Sequence, residues 1–249
     1  MEPIIICPYV CDDDVAQVRR AFRLDEPAGQ RLPFFFWRDD KQIGPELAYE
    51  HCWNEFPHRD IIIIHTDMTP MPEDHTNLWF DLLLAYVDEL PFAGMIACDL
   101  IYPLRKPDGS LLTQCAGGYF KNGELCYFGG GVDVEKQAIS DTAIVYDERF
   151  RKVRPVAWVT FGGVYIRREL LSACGNFDRR YQWAYVMDVD YSLEARMRGF
   201  ELFHVPVNLT HFESRTAKAM LTPERRKQVA ENHKAFYEKW DWWLKANTH

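Results

Sequence analysis

GPELAYEHCWNEFPHRDIIIIHTDMTP, residues 44–70, joins a helical pattern to an unbroken apolar run and so points to an α/β fold. Pro45 fits the first turn of a helix, where its missing N–H is no loss, and the helix runs to about Phe56. Residues 60–65 then read as a strand in which four isoleucines follow one another without alternation. A strand that is apolar at every residue needs cover on both faces, as in a parallel sheet between helical layers. The same unit precedes it. Residues 4–7 form a short apolar run ended by Pro8, and Asp12, Asp13 and Asp14 offer N-cap chemistry for a helix through Val15, Val18 and Phe22. Residues 32–37 are a second strand. Downstream, a helix over about residues 74–90, apolar on one side through Leu78, Leu82, Leu83 and Tyr86, leads to a fourth strand over 92–99. This order predicts an α/β nucleotide-binding half over residues 1–100.

The remainder is less periodic. Turns at Asp108-Gly109 and Asn122-Gly123 break up the next segment, and CAGGYFKNGELCYFGG, residues 115–130, reads as a β-hairpin inserted beside the sheet. Residues 141–154 mix charge and apolar side chains without a period and are expected to be a mobile loop. Strands are expected over 156–160 and 163–166, helices over 168–174 and 188–198, and an extended segment over 203–212. One domain over 1–222 thus precedes a helical tail, 223–249, rich in Lys and Arg and carrying Val229, His233, Phe236, Trp240 and Trp243 partly along one side. Such a helix docks on its own domain, makes a homodimer contact, or lies peripherally on a membrane surface.

Composition excludes several classes. A formal net charge of −8 argues against a broad surface for duplex nucleic acid. The longest apolar run is far short of the roughly 20 residues a transmembrane helix needs. The N-terminus MEPIIICPYVCDDD has no basic segment before its short apolar run, so no signal peptide is read and a cytoplasmic location is expected. The 7 cysteines then sit in a reducing compartment, and none forms a CxxC pair; Cys7 and Cys11, spaced CxxxC, read as ordinary thiols.

In open α/β sheets ligands collect outside the carboxyl ends of the strands. Four places qualify: Pro8-Tyr9, Arg38-Asp39-Asp40, His65-Thr66-Asp67, and Asp99. Asp67, a lone carboxylate after IIIIH, is either a ligand for a hard divalent ion or a turn residue ahead of Thr69-Pro70. Farther on, Asp188 and Asp190 open a helical pattern. Carboxylates at i and i+2 do not share a helix face, so one can point into a cleft as general base while the other caps the helix or orients a neighbour. Both also suit a first helical turn on dipole grounds alone. His211, after an extended segment, either completes a mixed nitrogen and oxygen metal site or is structural.

Taken in order, these residues resemble family 2 of the glycosyltransferases, with the GT-A fold, over about residues 3–215. The first block is the stretch quoted at the outset, similar to that family's helix, strand and acidic metal motif. The second is GGVYIRRELLSACGNFDRRYQWAYVMDVDYSLEARMRGFELFHVPVNLTHFES, residues 162–214, similar to its glycine-strand-helix, "G-F-D" and "E-D-x-D" run and late histidine. The resemblance implies a Rossmann-like, mixed but mostly parallel sheet flanked by helices, with residues 101–222 as the acceptor and catalytic half. It implies inverting transfer from a UDP-, GDP- or dTDP-linked sugar to a glycan or lipid-linked hydroxyl acceptor, in surface polysaccharide or glycan synthesis. Asp188 is then the base, and Asp67 and His211 hold Mn²⁺ or Mg²⁺ against the diphosphate. Pro8, Tyr9, Asp39, Asp40, His65 and Thr66 border the nucleotide, and Gly162 and Gly163 lie beside the sugar. His65 stands where the family has the first acid of D-x-D, Met187 replaces the Glu of "E-D-x-D", and Tyr9-Val10-Cys11 replaces "T-Y-N". A non-catalytic scaffold or partner of an active transferase is the alternative reading. Residues 141–154 or 213–222 are the segments expected to close over the donor.

Overall fold

The structure, a computed structural model, describes residues 2–212 and 222–247. β1 (Ile4–Tyr9), β2 (Phe34–Arg38) and β3 (Ile61–Ile63) lie parallel with β1 in the middle. The chain passes between them through α1 (Asp12–Ala21), a short α2 (Pro27–Gln30) and α3 (Pro45–Asn54). The unbroken isoleucine run has the cause its pattern implies. Ile61 and Ile63 join Ile4, Ile6 and Trp53 in one core, while Ile62 and Ile64 join Ile5, Phe22 and Phe80 in another. Each fully buried isoleucine contributes roughly 1.5–3 kcal/mol, so neither face tolerates a polar residue.

Downstream come β4 (Met68–Pro70), α4 (Leu78–Glu89), β5 (Ala93–Arg105), β6 (Leu111–Cys115), β7 (Gly118–Lys121), β8 (Glu124–Tyr127), β9 (Val132–Asp133), β10 (Ala138–Ile139) and β11 (Arg154–Pro155). They are followed by β12 (Val164–Ile166), α5 (Arg168–Cys174), α6 (Met187–Met197), β13 (Glu201–His211) and α7 (Pro223–Asn247). The main sheet runs β11-β13-β5-β12-β3-β1-β2, with β4 on the end of β13 and β6 on β5. Strands β13, β5, β3, β1 and β2 point one way, and β12 is antiparallel to both its neighbours. The sheet is mixed and mostly parallel, with helices packed against it. The expected hairpin is β7–β8, turning through Asn122 (φ 53°) and Gly123 (φ 78°), the left-handed pair such a two-residue turn requires.

Four expectations need correction. The helix expected from residue 74 starts at Leu78, because the Asp74 carboxylate accepts the backbone N–H groups of Leu78 (2.8 Å) and Trp79 (2.9 Å) and so stays outside as their acceptor. The fourth strand does not end at Asp99 but runs on to Arg105; Asp99 is buried mid-strand, where Arg154 donates to its carboxylate and the ring of His204 lies 3.1 Å from it. Residues 156–160 are not a strand. Apart from a single bridge from Trp158 to Gly118 they run as buried loop, since Val156, Trp158 and Val159 pack into the core without a ladder partner. Residues 141–154 form no regular element except the start of β11, yet they are packed, not loose: Ala143, Tyr146 and Phe150 are buried, and Tyr146 N–H bonds to Leu111 C=O. Of the other segment expected to close, residues 213–221 lie outside those described.

The C-terminal helix docks on its own domain. Phe236, Trp240 and Leu244 enter the same core as β1 and β3, while Trp242 is 57% exposed. Among the described residues no helix is long and apolar enough to cross a membrane.

Candidate functional site

The carboxyl ends of β1, β2 and β3 open into a cleft of about 570 Å³. Pro8, Tyr9, Asp39, His65, Thr66 and Asp67 line it from the strand ends, Gly162 from the approach to β12, and Asp188 from the first turn of α6. The hairpin adds Tyr127, and α7 adds Arg225 and His233.

One end of the cleft is set by a β-ladder. A tight turn (Met68 N–H to His65 C=O, 3.1 Å) sends the chain from β3 into β4, which pairs with β13 so that His211 lies opposite Met68. Phe212 N–H then bonds to Asp67 C=O. Residues 144 positions apart are thereby joined, with His211 Nε2 3.1 Å from Asp67 Oδ1, and His65 completes a cluster whose donor atoms all lie within 4.8 Å of one another. His211 Nδ1 is 2.5 Å from Gln114 Oε1 of β6. That oxygen accepts only, so Nδ1 carries the hydrogen and the Nε2 lone pair is aimed at a carboxylate oxygen. Two donor atoms facing each other call for a cation or a proton between them, and an oxygen and nitrogen pair suits Mn²⁺ or Mg²⁺. Burial pushes the Asp67 carboxyl up, but when it is a proton on His211 Nε2 that fills the gap, the hydrogen bond and charge of His211 outweigh burial and hold the group well below the usual carboxylate range. Burial, reinforced by His211, takes His65 down to about 4, so it is a neutral imidazole at neutral pH, and the Tyr49 hydroxyl is 2.8 Å from its Nε2.

Asp188 and Asp190 divide the work as their spacing requires. Asp188 faces the cleft, and burial raises its carboxyl to about 6 even though Val189 N–H donates to it at 2.9 Å. Asp190, 3% exposed, faces away: the Tyr181 hydroxyl (2.9 Å), Lys239 ammonium (2.9 Å) and Trp240 indole (2.6 Å) all donate to it, tying α6 to α7.

The entry to α6 is unusual. Trp183, Ala184, Tyr185 and Val186 have φ of 59°, 68°, 66° and 57°, four consecutive left-handed residues without a glycine. Each costs roughly 1–2 kcal/mol relative to right-handed backbone, and β-branched Val186 is the least suited of them. All four line the cleft.

Several residues singled out in the sequence sit elsewhere. Asp40 is exposed in an ion pair with Arg38 (2.8 Å), and Gly163 (φ 65°) is packed inside the sheet against Leu209 and Met68, so neither is on the cleft wall. Asp39 is on the wall, with one carboxylate oxygen accepting Ile43 N–H at 3.0 Å. Asp99 is closed off in the sheet. Cys7 is buried and Cys11 exposed, both outside the His-Asp-His cluster. Sequence reasoning missed Tyr49, Gln114, Glu46 and Asn232. Glu46 and Glu50 were legible as two acids one turn apart on the inner face of α3, where both are buried; nothing local marks Gln114.

No family model matches the chain, and no curated protein sequence matches it. Among solved structures, it is similar to the crystal structure of GalNAc-T7 with UDP, GalNAc and Mn²⁺, with a TM-score of 0.51 at 11% identity over 85% of this chain and 44% of that one. The chain thus spans less than half the length of that relative. A197 from STIV is matched over 83% of each chain with a TM-score of 0.45 and 13% identity. The likeness to GalNAc-T7 and the curled mixed sheet agree: this chain has a GT-A, glycosyltransferase-like fold.

Proposed function

We propose that the protein is an inverting, metal-dependent glycosyltransferase, moving a sugar from a UDP-, GDP- or dTDP-linked donor to a hydroxyl of a glycan or lipid-linked acceptor in surface polysaccharide or glycan synthesis. The observation that carries this reading is one cleft holding both the Asp67–His211 pair and Asp188, a carboxylate whose proton affinity lies near neutrality. Asp67 and His211 would hold Mn²⁺ or Mg²⁺, which supplies charge neutralisation on a diphosphate leaving group. Gln114 orients His211. Pro8, Tyr9 and Asp39 border the nucleotide, with Thr66 and neutral His65 near the diphosphate and Gly162 beside the sugar.

Asp188 takes the proton of the acceptor hydroxyl as that oxygen bonds to the anomeric carbon and the bond from that carbon to the diphosphate oxygen breaks. Attack opposite the leaving group inverts the configuration. With a proton affinity near 6, Asp188 is ionised at neutral pH yet basic enough to accept a proton. The aromatic walls contributed by Trp158, Trp183, Tyr185 and Tyr127 limit water, which would otherwise compete as acceptor.

The test is turnover of UDP-, GDP- and dTDP-sugars with Mn²⁺, followed by NMR of the product's anomeric proton. One donor class should be consumed with inversion, and Asp188→Asn should lower the rate by roughly 10²–10⁴-fold. Retained configuration, or turnover indifferent to Asp188→Asn, would overturn the mechanism.

A further inference from the structure

Strained backbone persists only where its surroundings over-determine it, and such strain gathers at functional sites. The left-handed turn over residues 183–186 has two such supports, from elements distant in sequence. Glu46, in the first turn of α3, is buried and accepts Ala184 N–H on Oε1 at 2.6 Å. Asn232 of α7 is 0% exposed. Its amide nitrogen donates to Gln182 C=O and Ala184 C=O, each at 2.8 Å, and its oxygen accepts Gln182 N–H at 3.3 Å. Apart from one bond received from Gln228, the whole capacity of that buried amide is spent on this turn. Arg225, two turns earlier along α7, lies over the Trp183 ring at 5.3 Å.

The turn leads straight into the catalytic element. Val186 is the residue before α6, its C=O accepts Asp190 N–H at 2.8 Å, and Asp188 follows two positions on. A relaxation of residues 183–186 to right-handed backbone would change the direction in which the chain enters α6, and so the place of Asp188. We propose that Glu46 and Asn232 are positioning residues that hold the 183–186 turn in its left-handed form and thereby aim Asp188 into the cleft, making α7 a working part of the site. This inference rests on the reading of Asp188 as the base. The nucleotide end of the cleft is built on β1, β2, β3 and β13, and neither residue hydrogen-bonds to those strands.

The test compares wild type with Glu46→Leu, Glu46→Gln, Asn232→Leu and the double variant Glu46→Leu/Ala184→Gly. Three quantities are measured: amide exchange over residues 182–190, affinity for a nucleoside diphosphate with Mn²⁺, and kcat on the donor. Glu46→Leu and Asn232→Leu should speed exchange over 182–190 by about tenfold or more, leave the nucleotide Kd unchanged, and lower kcat by roughly 100-fold through misplacement of Asp188. Glu46→Gln keeps the accepting oxygen and should match wild type. Glycine at position 184 adopts positive φ freely, so the double variant should recover part of the lost kcat. If Asn232→Leu does not fold, the Glu46 series alone decides. A full kcat in Glu46→Leu despite faster exchange, unchanged exchange, or a loss of nucleotide affinity in step with kcat would overturn the proposal. A wild type that binds no nucleotide defeats the transferase reading instead, and the exchange arm still decides whether the clamp exists.

Discussion

Asp188, the proposed base, is under opposite demands of stability and chemistry. Burial raises its carboxyl from 3.8 to about 6, so folding favours the protonated form. Below pH 3.8 the group is neutral in both folded and unfolded chains and costs nothing; between there and about pH 6 the native state holds a proton the unfolded chain has lost, and stability falls as pH rises. Above pH 6 the full penalty, at most about 3 kcal/mol, is present. Asp188→Asn should therefore raise the thermal midpoint at pH 7–8 and leave it unchanged at pH 3.5, while wild-type kcat/KM rises with pH through about 6 and then levels. Equal midpoints for the two proteins at pH 8 would show that the carboxylate is not desolvated. Gln114 is the other residue whose role is specific. With its oxygen gone, His211 Nδ1 loses its acceptor, and Gln114→Leu should weaken Mn²⁺ binding in calorimetry by roughly 10–100-fold with little change in the melting midpoint. That Asp67 and His211 stand at the mouth of a cleft was readable because each comes at the end of an apolar strand-like run. Gln114 was not, because a polar residue inside β6 looks like any solvent-facing position until β13, on the other side of β5, brings His211 to it.

The helices and strands show where periodicity suffices. α3, β3 and α4 were legible because strong apolar patterns coincide with Pro45 and with the Asp74 carboxylate near the helix start. β4 was not: three residues ending in Pro70 carry no period, and only pairing with β13 makes them a strand. Residues 156–160 misled for the converse reason, since apolar residues alone do not supply a ladder partner. The docking of α7 joins a buried apolar face, Phe236, Trp240 and Leu244, to Asp190, whose three donors are all buried or partly buried. Asp190→Ala should destabilise the protein by roughly 3 kcal/mol in urea, because Tyr181 and Trp240 lose their acceptor while Lys239 keeps Glu194 and Asp178. Breaking the exposed Lys234–Glu238 pair on the same helix should cost under about 1 kcal/mol. Comparable losses would mean that α7 is held by its apolar face alone.

At the scale of the molecule, the parallel ends of β1, β2 and β3 supply one half of the cleft and the segment from β12 through α6 supplies the other, with β13 returning His211 to the first half. The doubly buried isoleucine strand already implied that arrangement, whereas the clamp of α3 and α7 on the 183–186 turn depends on contacts between residues more than 45 positions apart and leaves no local pattern. The proposed transfer requires Asp67 and His211 to bind a nucleoside diphosphate through a divalent ion. Thermal-shift binding of UDP, GDP and dTDP, each with Mn²⁺, Mg²⁺ or a chelator, on wild type and Asp67→Ala reads this out, since a ligand that binds the native state raises the midpoint by mass action. One nucleotide should raise the wild-type midpoint only when the metal is present, and the shift should vanish in Asp67→Ala. No shift with any nucleotide, or a shift that survives the chelator and the substitution alike, would contradict it, the former leaving a GT-A fold that serves as a scaffold.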